Sequence, residues 1–319
     1  MQTTACPKRE GLYPVLYCRP MGVDLAVIIV TYDSAHVVGS LLDSLPGALD
    51  GLIADVVVVD NGSTDQTVAI LRERSDCRVV QSANIGYAGG INRGVREADC
   101  ADAILVLNPD VRLGPCSVRP LLTALGLPRT GVAAPQIRSV DHSLYHSLRR
   151  KPSLLRELGL GRSGVGAFSE YITDDELYHH PQVVDWALGA VLLISRACYD
   201  VVGGWDESYF LYSEETQFSL DARKLGYLTR YVPSSVAVHI GGQSGQSEVT
   251  HSMMIINRVR LYRRRHGVAA SWCYYLITIL SELSWAVRGH RRSWFAAVAL
   301  VRPSRRPAVL GVSRQILPH

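Results

Sequence analysis

The 319-residue sequence predicts an α/β fold in which a mixed, mostly parallel sheet is flanked by helices and followed by a C-terminal helical appendage. Three observations favour this fold class. Continuous aliphatic segments, typical of strands buried on both faces, alternate with segments of helical periodicity. Polar residues follow directly after these aliphatic segments, as they do at the carboxyl ends of parallel strands. From Arg258 onward, basic and aromatic residues dominate, which sets the appendage apart.

Four buried strands are predicted in the first half of the chain: Leu25 to Val30, Asp55 to Asp60, Arg78 to Gln81 and Ala103 to Leu107. Helices are expected at Val37 to Leu45, at Gln66 to Ser75 and after the glycine-rich stretch Ala83 to Gly94. Ser63 or Thr64 is expected to cap the second of these helices. Strands that alternate with helices in this way form a parallel sheet.

The second half of the sequence is less regular. It is expected to contain a strand at Trp186 to Ser195, a helix at Glu214 to Lys224 and two short strands at Thr229 to Val232 and Val236 to His239. Residues 139–182, rich in glycine, serine and charge, predict loops that could cover a site. The chain therefore divides into a disordered extension at 1–22, an α/β domain at 23–250 and a helical region at 251–319.

The charge of the chain is unevenly distributed. The net charge is +4, yet the segment from Arg258 to His319 holds twelve arginines against the single acid Glu282 and so carries +11. The first 257 residues must therefore sum to −7. This asymmetry predicts that the tail meets an anionic surface, either lipid or nucleic acid.

The cysteines and the N-terminal residues indicate the cellular compartment in which the protein works. Seven cysteines are scattered without C-x-x-C spacing and without histidines at zinc-like intervals. A reducing compartment such as the cytoplasm is the simple inference. Residues 1–22 contain three prolines and mixed charges but no apolar run long enough for a signal peptide.

Polar side chains cluster at the predicted strand ends. Those that fall just past a strand are Thr31, Asp60, Asn61, Asp65 and Asp110. The carboxyl ends of parallel strands meet at one edge of a sheet. These residues are therefore expected to converge on one crevice, although they are distant in sequence.

Asp110, in Asn108-Pro109-Asp110, is the strongest candidate for a divalent-metal ligand. Hard cations such as Mg²⁺ or Mn²⁺ prefer oxygen ligands, and a bound diphosphate would supply several of them. The alternative is a turn aspartate that caps the following helix. His239, at the end of an apolar strand, could be a further metal ligand or a diphosphate contact, although a lone histidine is more often structural.

Two further segments could contact a nucleotide. Asp60, beside a glycine turn, could bond a base edge or ribose hydroxyls; the alternative is a β-turn with a helix cap. The glycines between Asn84 and Gly94 would let the backbone pass close to phosphates or a sugar, at the amino end of a helix that favours anions. Because the first strand ends in Thr31-Tyr32-Asp33 rather than in a glycine loop, a dinucleotide site is disfavoured.

Adjacent acids, Glu214 and Glu215, follow the aromatic segment Tyr209 to Tyr212. A carboxylate placed in an apolar wall has a raised pKa and could remove a proton from an attacking hydroxyl. The alternative is the ordinary enrichment of acids in a first helical turn.

Taken in order, these segments resemble the family-2 glycosyltransferases, in particular their bacterial rhamnosyltransferase branch. Eight motifs carry the resemblance: Val30-Thr31-Tyr32, Val59 to Asp65, Asn84 to Gly94, Leu107 to Asp110, Trp186 to Ala190, Gly203 to Glu207, Phe210 to Gly226 and His239 to Ser244. Each motif is common by itself, but eight in register make chance an unsatisfactory explanation. The resemblance covers the chain from Leu25 to Gly267.

The resemblance implies the GT-A fold and an inverting, metal-dependent transfer of a sugar from a nucleotide-diphosphate donor. Asp60 would read the base, and Asp110 with His239 would hold Mg²⁺ or Mn²⁺ and the diphosphate. Glu215, with Glu214 beside it, would be the base that activates the acceptor hydroxyl for attack at C1 of the sugar. The donor would contact Thr31, Tyr32, Asp60, Asn61, Asn84, Gly86, Gly90, Asn92, Asn108 and Asp110. The acceptor and sugar pocket would be shaped by Trp186, Gly189, Ala190, Trp205 and Asp206.

Two departures from the family pattern affect these roles. The family's D-x-D motif is Asn108-Pro109-Asp110 here, as is common in the rhamnosyl branch, and this leaves one metal carboxylate fewer. The family's Glu-Asp-x-Asp helix start is Glu214-Glu215-Thr216-Gln217 here. The side chain at the position of the base is therefore one methylene longer than the usual aspartate.

The tail suggests where the enzyme would work. Ala269 to Val287 is near spanning length, but Glu282 and three serines interrupt it, which favours an interfacial amphipathic hairpin over a membrane crossing. A polyprenyl-diphosphate acceptor at the inner face of the plasma membrane would explain such a tail. A helical pair packed on the catalytic domain is the alternative.

The function expected from the resemblance is transfer of L-rhamnose from dTDP-rhamnose to a lipid-linked or polysaccharide acceptor in cell-envelope glycan synthesis. A UDP- or GDP-sugar donor and a small-molecule acceptor are the alternatives within the family. A nucleotidyltransferase would share the sheet and the metal, but Thr31 to Ser34 lacks the basic glycine loop expected after the first strand. An adaptor that binds membrane or nucleic acid through the tail would leave the polar strand ends unexplained, so no nucleic-acid partner is expected.

Overall fold

The computed structural model describes residues 23–99, 101–158, 165–241, 247–311 and 316. The extension predicted at 1–22 and the glycine-rich motif at 242–245 lie outside these ranges. The described strands are β1 (Leu25–Thr31), β2 (Ala54–Asp60), β3 (Arg78–Gln81), β4 (Ala103–Leu107), β5 (Val111–Leu113), β6 (Thr130–Arg138), β7 (Leu148–Arg149), β8 (Gln182–Val184), β9 (Trp186–Ala187), β10 (Val191–Ser195) and β11 (Leu228–His239). The described α-helices are α1 (Val38–Leu49), α2 (Thr67–Arg72), α3 (Gly86–Glu97), α4 (Val118–Leu125), α5 (Leu154–Glu157), α6 (Arg196–Val202), α7 (Glu214–Lys224), α8 (Glu248–Arg263), α9 (Val268–Val287) and α10 (Arg291–Val301).

One mixed sheet organises the molecule, with strand order β3-β2-β1-β4-β10-β6-β11-β5 and β8 paired to β11. The first four strands in this order are parallel, whereas β10 runs antiparallel between β4 and β6. Thr31 lies opposite Asp60 in the register of β1 and β2, so both strands end at the same level. The predicted fold class, a mixed α/β sheet flanked by helices with a helical C-terminal region, is confirmed.

The strand β1 is buried on both faces, which explains its uninterrupted aliphatic sequence. Leu25, Val27 and Ile29 pack into one apolar layer with α1 and α4, while Ile28 and Val30 pack into the opposite layer with α3. Successive side chains of a strand point to opposite faces, so only a continuous apolar sequence can fill both layers. The polar residues that follow β1 are therefore placed at the edge where burial ends.

Two predictions of strands in the second half need correction. The single strand expected at Trp186 to Ser195 is two strands, because β9 pairs with β7 in a separate small sheet and β10 then enters the main sheet. Conversely, the two short strands expected between Thr229 and His239 are one strand, β11, which has a register shift between Val232 and Val236.

The helix α2 begins differently from the prediction. Neither Ser63 nor Thr64 caps it; the Asp65 side chain accepts a hydrogen bond from the backbone N–H of Thr67 at 2.9 Å. The Ser63 hydroxyl instead accepts a hydrogen bond from the backbone N–H of Asp33 at 2.9 Å. The sequence Asp-Asn-Gly-Ser-Thr-Asp offers several side chains of similar capping strength, so the choice depends on the neighbouring loop.

The glycine-rich stretch lies inside α3 rather than in a loop before it. A Cβ on Gly90 would lie 2.6 Å from Val30 Cγ1, and a Cβ on Gly94 would lie 2.5 Å from Ile28 Cγ2. Both glycines therefore allow the helix to pack closely on β1. The predicted role of the glycines was to let the backbone approach phosphates or a sugar closely. For Gly90 this role is corrected, because the glycine instead allows α3 to pack closely on β1.

The C-terminal helices α8, α9 and α10 share an apolar cluster that includes Ile256, Val259, Tyr274 and Leu300. The rings of Tyr262 and Tyr274 stack with centroids 4.0 Å apart and join α8 to α9. Among the helices that the structure describes, none combines the length and apolarity that a membrane span requires. The domain boundary predicted at residue 250 falls inside α8.

Several arginines of the basic tail bond to the rest of the protein. Arg258 donates from Nε to the Tyr274 hydroxyl at 3.1 Å and pairs through Nη2 with Glu157 at 3.2 Å and with Glu170. The others that bond inward are Arg260, Arg264 and Arg265. The prediction that the tail meets an anionic surface is wrong for these four residues, because Arg258, Arg264 and Arg265 pair with acids inside the fold and Arg260 bonds to neutral groups there.

Candidate active site

The floor of the crevice at the ends of β1 and β2 is built around Asp60, whose residue is 1% exposed. Its Oδ1 accepts a hydrogen bond from Thr31 Oγ1 at 3.1 Å and from the Ser63 hydroxyl. Its Oδ2 accepts from the backbone N–H groups of Gly62 and Ser63 at 3.2 and 3.0 Å. These four donors hold the carboxylate in the turn that follows β2. A nucleotide base that bonded to Asp60 would have to share the two carboxylate oxygens with these donors.

The loops after β1 and β2 are joined to each other by short polar side chains. Asp33, at φ 48°, accepts from the backbone N–H of Thr64 at 2.7 Å. Asp65 accepts from the backbone N–H of Ala35 at 3.0 Å. Although its slight burial would raise the pKa of Asp65, these bonds and those from Thr67 lower that pKa below its ordinary value. Sequence reasoning placed Asp65 at this edge but gave no role to Asp33. The ring of Tyr32, beside this loop, is 54% exposed.

Asn61 and Gly86 connect the floor to α3. Asn61 Nδ2 donates to the carbonyl of Gly86 at 2.9 Å, and the Gly86 N–H donates to Asn84 Oδ1 at 3.2 Å. Gly86 has φ 80°, and a Cβ there would lie 2.5 Å from the carbonyl oxygen of Phe210. Only glycine fits this position, and Tyr87 N–H donates to the same carbonyl at 2.7 Å. The start of α3 therefore rests on the segment that leads to Glu214.

Asn92, predicted to contact the donor, is fully occupied within the fold. Its Nδ2 donates to the carbonyl of Trp205 at 2.8 Å and to Glu207 at 2.9 Å. Its Oδ1 accepts from the Tyr199 hydroxyl at 2.8 Å and from the Trp205 N–H at 2.9 Å. An amide has two donors and two acceptor sites, so all are used. The predicted donor contact is corrected to a structural role.

The two residues predicted to hold a metal lie side by side. His239 Nε2 is 3.2 Å from Asp110 Oδ1, and both side chains are largely buried. The backbone N–H of Ile240 donates to the carbonyl of Asp110 at 2.9 Å, which extends the antiparallel pairing of β5 with β11. In the described ranges no three or more potential metal ligands gather at one point. One carboxylate and one imidazole fit a cation whose other ligands are the oxygens of a diphosphate and water.

Asn108 lies beside this pair, at the end of β4. Its backbone N–H donates to the carbonyl of Ala190 at 2.9 Å. Ala190 is itself buried in the apolar layer behind the crevice. The prediction that Ala190 shapes the pocket can therefore apply only to its backbone, because its side chain belongs to the core.

Glu214 and Glu215 begin α7 directly after an unusual turn. Phe210, Tyr212 and Ser213 have φ values of 60°, 69° and 74°, a conformation that costs non-glycine residues energy. Glu215 lies against Gly189, where a Cβ would be 3.1 Å from Glu215 Cβ. The Oε2 atoms of both glutamates are buried and have no hydrogen-bond partner in the part of the chain that the structure describes. Such groups are costly unless a ligand satisfies them.

The charges of this pair depend on their surroundings. Burial raises the pKa of Glu214 well above its ordinary value, and the neighbouring Glu215 raises it further. Burial also raises the pKa of Glu215, but the positive charge of Arg149 opposes this shift. Backbone hydrogen bonds lower the pKa of both glutamates, and Arg149 adds to this effect for Glu215 but is not among the causes for Glu214.

Tyr87 links the glutamates to the metal residues. Burial raises the pKa of its hydroxyl, and the charges of Glu214, Glu215 and Asp110 raise it further. Its hydroxyl donates to the carbonyl of Gly189 at 3.4 Å. Gly189 also contacts Glu215, and the next residue, Ala190, bonds Asn108, so Tyr87, Glu215 and the end of β4 meet around residues 189–190. Sequence reasoning missed Tyr87, although its place in the glycine-rich motif next to Gly86 was a usable signal.

Arg149, which sequence reasoning also missed, forms the wall opposite the glutamates. Its guanidinium lies 3.9 Å from the centroid of the Tyr171 ring and 5.8 Å from that of the Trp186 ring. Trp186 donates from Nε1 to the carbonyl of Arg150 at 3.2 Å. The predicted pocket residue Trp186 thus lies in a wall of aromatic and cationic groups.

Two other predicted pocket residues belong to the scaffold. Trp205 is buried, and its ring stacks on Phe218 with centroids 5.4 Å apart. Asp206 accepts from the Ser208 N–H at 2.9 Å and pairs with Arg264. Both side chains pack or bond around the loop before α7, although Trp205 Nε1 has no described partner, and the role predicted for them in the acceptor and sugar pocket stays a prediction.

Asn257 of α8 holds the turn that carries the glutamates. Its Nδ2 donates to the carbonyls of Tyr209, Leu211 and Tyr212 at 2.8, 2.8 and 3.2 Å. Its Oδ1 accepts from Arg260 at 2.7 Å. A fully buried asparagine among isoleucines on a helix was the signal in the sequence, but its partners lie more than 40 positions away.

Comparison with known proteins gives one profile match and a similar relative. The profile of glycosyl transferase family 2 matches residues 26–179. The N-acetylglucosaminyl-diphospho-decaprenol L-rhamnosyltransferase of Mycobacterium tuberculosis (strain ATCC 25618 / H37Rv) is 34% identical over 245 residues, which cover 71% of this chain and 80% of that protein.

Solved structures add a likeness of fold. The mannosyltransferase PcManGT from Pyrobaculum calidifontis, in complex with GDP-Man and Mn²⁺, gives a TM-score of 0.55 at 17% identity over 89% of this chain and 77% of that chain. GalNAc-T7 with UDP, GalNAc and Mn²⁺ gives a TM-score of 0.58 at 15% identity over 83% of this chain, which spans 51% of that chain. By its similarity to the mycobacterial enzyme over most of its length, this chain belongs to glycosyl transferase family 2 and has the GT-A fold.

Proposed function

We propose that this protein transfers a sugar from a nucleotide-diphosphate donor to a hydroxyl of a lipid-linked acceptor, with inversion at C1. L-Rhamnose from dTDP-rhamnose is the first candidate donor, and N-acetylglucosamine on a polyprenyl diphosphate is the first candidate acceptor. The mycobacterial relative, which is named for these two groups, supports both choices. The observation that carries the proposal is the buried Glu214–Glu215 pair beside Asp110 and His239.

In the proposed reaction the acceptor oxygen forms a bond to C1 while the bond from C1 to the diphosphate oxygen breaks. The proton of the acceptor hydroxyl moves to the carboxylate of Glu215. Its raised pKa suits this role, since a base is most effective when its pKa approaches the working pH. Asp110 and His239 would hold Mg²⁺ or Mn²⁺, which would neutralise charge on the departing diphosphate.

A UDP- or GDP-sugar donor is the second candidate. It is supported only by the nucleotides bound in the two structures with this fold, UDP and GDP-Man. The panel of donors in the experiment below separates the two candidates.

We also propose that the enzyme works at the inner face of the plasma membrane. Large apolar side chains exposed on α9 and α10 are Trp272, Leu276, Leu280, Trp294, Phe295 and Val301. Arginines on the same helices or next to them are Arg288, Arg291 and Arg292. Exposed aromatic and apolar groups beside cations are typical of surfaces that lie in the headgroup region of a bilayer.

The experiment uses the purified full chain with Mn²⁺ and a panel of dTDP-, UDP- and GDP-sugars. Transfer to a synthetic N-acetylglucosaminyl diphosphate lipid and the slow hydrolysis of each donor are measured, with E215Q as the matched control. Transfer from dTDP-rhamnose that E215Q lacks is the expected result. If no donor is transferred or hydrolysed, the proposed function is rejected.

A further inference from the structure

A cavity of about 760 Å³ lies within the C-terminal helices, away from the crevice described above. It is bounded by α8, α9, α10 and residues 303–307. Most of its wall is apolar: Val249, Ile279, Leu283, Trp294, Phe295 and Val298. This volume is within the range of sites that hold organic ligands. A sugar or a nucleotide base would bring polar groups that so apolar a wall cannot satisfy, so the wall selects a hydrocarbon.

Cations lie along one side of this cavity. Arg302, Arg305 and Arg306 belong to its wall, and Arg302 and Arg305 are exposed to solvent. Arg306 is oriented by its bonds to the carbonyls at the end of α10. Glu248 is the single acid among the described lining residues, and Arg291 neutralises it at 2.7 Å. The edge of the cavity is therefore positive, which complements a phosphate headgroup rather than a neutral lipid.

The position of the cavity connects it with both the membrane-facing surface and the metal residues. Its wall includes Trp294, Phe295 and Val301, which are also exposed on the apolar surface of α10. A chain could thus enter sideways from a bilayer. Glu248, at one side of the wall, is nine residues after His239. A chain of nine residues spans at most about 32 Å, so Glu248 in the cavity wall lies within this distance of His239.

We propose that this cavity takes the hydrocarbon chain of the lipid-linked acceptor, with the phosphate of that lipid against Arg302 and Arg305. The proposal rests on the proposed function for the identity of the lipid. It assigns to the C-terminal helices a binding site in addition to contact with the bilayer.

The test compares two acceptors with the same N-acetylglucosaminyl diphosphate head, one with a long polyprenyl chain and one with a short alkyl chain. V298W fills the cavity, and V287W is the control, because Val287 is 90% exposed at the end of α9. We expect V298W to raise the ratio of KM for the long chain to KM for the short chain by about tenfold, or ~1.4 kcal/mol. V287W should leave this ratio as in the wild type. An unchanged ratio in a folded V298W enzyme would overturn the proposal.

A second variant guards against misfolding of V298W. R302Q combined with R305Q changes only exposed side chains, and it should raise KM for both acceptors because the phosphate is common to them. Unchanged KM values would overturn the phosphate contact. Deletion of residues 312–319 tests another occupant. If the shortened chain binds the long lipid and the full chain does not, the C-terminal residues of this chain occupy the cavity, and the proposal is overturned.

A binding measurement separates this proposal from the proposed function. Quenching of tryptophan fluorescence by a long-chain polyprenyl phosphate is followed in the wild type and in V298W, without any donor. Binding by the wild type that V298W weakens about tenfold supports the cavity even if no sugar is transferred. Transfer to the short-chain acceptor without any binding of the polyprenyl phosphate would reject the cavity and keep the proposed function.

Discussion

The two halves of the crevice are stabilised in different ways. On the side of β1 and β2, Asp33 and Asp60 are satisfied by backbone and hydroxyl groups of their own two loops. On the side of α7, Glu214 and Glu215 each have a buried oxygen for which residues 23–311, as far as described, supply no partner. Their turn is held by Asn257 from a distant helix. The carboxylates on the side of β1 and β2 are thus satisfied within their own loops, although Asn61 Oδ1 there is buried without a described partner, whereas both glutamates at the start of α7 keep an unsatisfied oxygen.

The largest effect is expected from E215Q, which tests whether the side of α7 carries the chemistry. The amide keeps the shape of the side chain but cannot take a proton, so kcat should fall by roughly 10³-fold. The affinity for dTDP, measured by calorimetry, should not change. E214Q is the matched control and should retain most of the activity. The reverse pattern, with E214Q inactive and E215Q active, would move the base to Glu214.

The next largest effect is expected from D110N, which tests the metal at the junction of the two halves. Loss of a carboxylate charge next to His239 should weaken Mn²⁺-dependent binding of dTDP by at least about 100-fold. D33N alters the donor floor without touching the metal pair, so it should weaken dTDP binding equally with and without Mn²⁺. Calorimetry at two Mn²⁺ concentrations distinguishes these results. Equal affinity in D110N and the wild type would remove Asp110 from the metal site.

A smaller effect is expected from N257A, which tests whether α8 positions the glutamates. Three carbonyl groups would lose their shared donor, at a cost of about 1–3 kcal/mol in the free energy of unfolding. We expect kcat to fall about tenfold while KM for the donor changes less, because Asp33 and Asp60 are held by their own two loops. N257D keeps the shape but replaces the donor group, so it should not rescue kcat. A rise in donor KM with unchanged kcat would contradict the positioning role.

The smallest effect concerns stability and pH. The pKa of Glu214 is raised in the folded protein, so the folded state binds more protons than the unfolded state above the ordinary glutamate pKa. Stability should therefore be fully present below that ordinary pKa and should fall as pH rises toward the raised value. E214Q removes this loss, so its Tm should exceed that of the wild type by a few degrees at pH 8 and by less at pH 4.5. Equal pH dependence in both proteins would show that Glu214 is not the responsible group.

The sequence was sufficient for the fold and for placing Asp110 and His239 in one site. Aliphatic strands buried on both faces leave a strong pattern; Asp110 lies three residues after such a strand, and His239 ends β11. The type of residue did not reveal which polar groups are already satisfied. Asn92 and Asp206 carry the same polar groups as residues that bind ligands. The partners of Asn92 lie in the loop at 199–208, whereas Asp206 pairs with Arg264, which directly follows α8.

Residues that act over long separations were beyond sequence reasoning. The charge of Arg149 acts on Glu215 because β7 pairs with β9, and both strands are only two residues long. Asn257 reaches the turn before Glu214 because α8 packs on the loop at 206–213. No local pattern encodes such contacts, since they depend on how separate segments pack.

The junction at Arg258 has a consequence for engineering. This one guanidinium binds Glu157 and Glu170 of the segment predicted to cover the site and Tyr274 of α9, so these stretches of chain meet at a single charge. A chimera that exchanged the C-terminal helices for those of another transferase would leave two buried acids without a counter-ion unless the covering segment were exchanged with them. Swapping acceptor preference between such enzymes should therefore succeed only when both pieces are transplanted together.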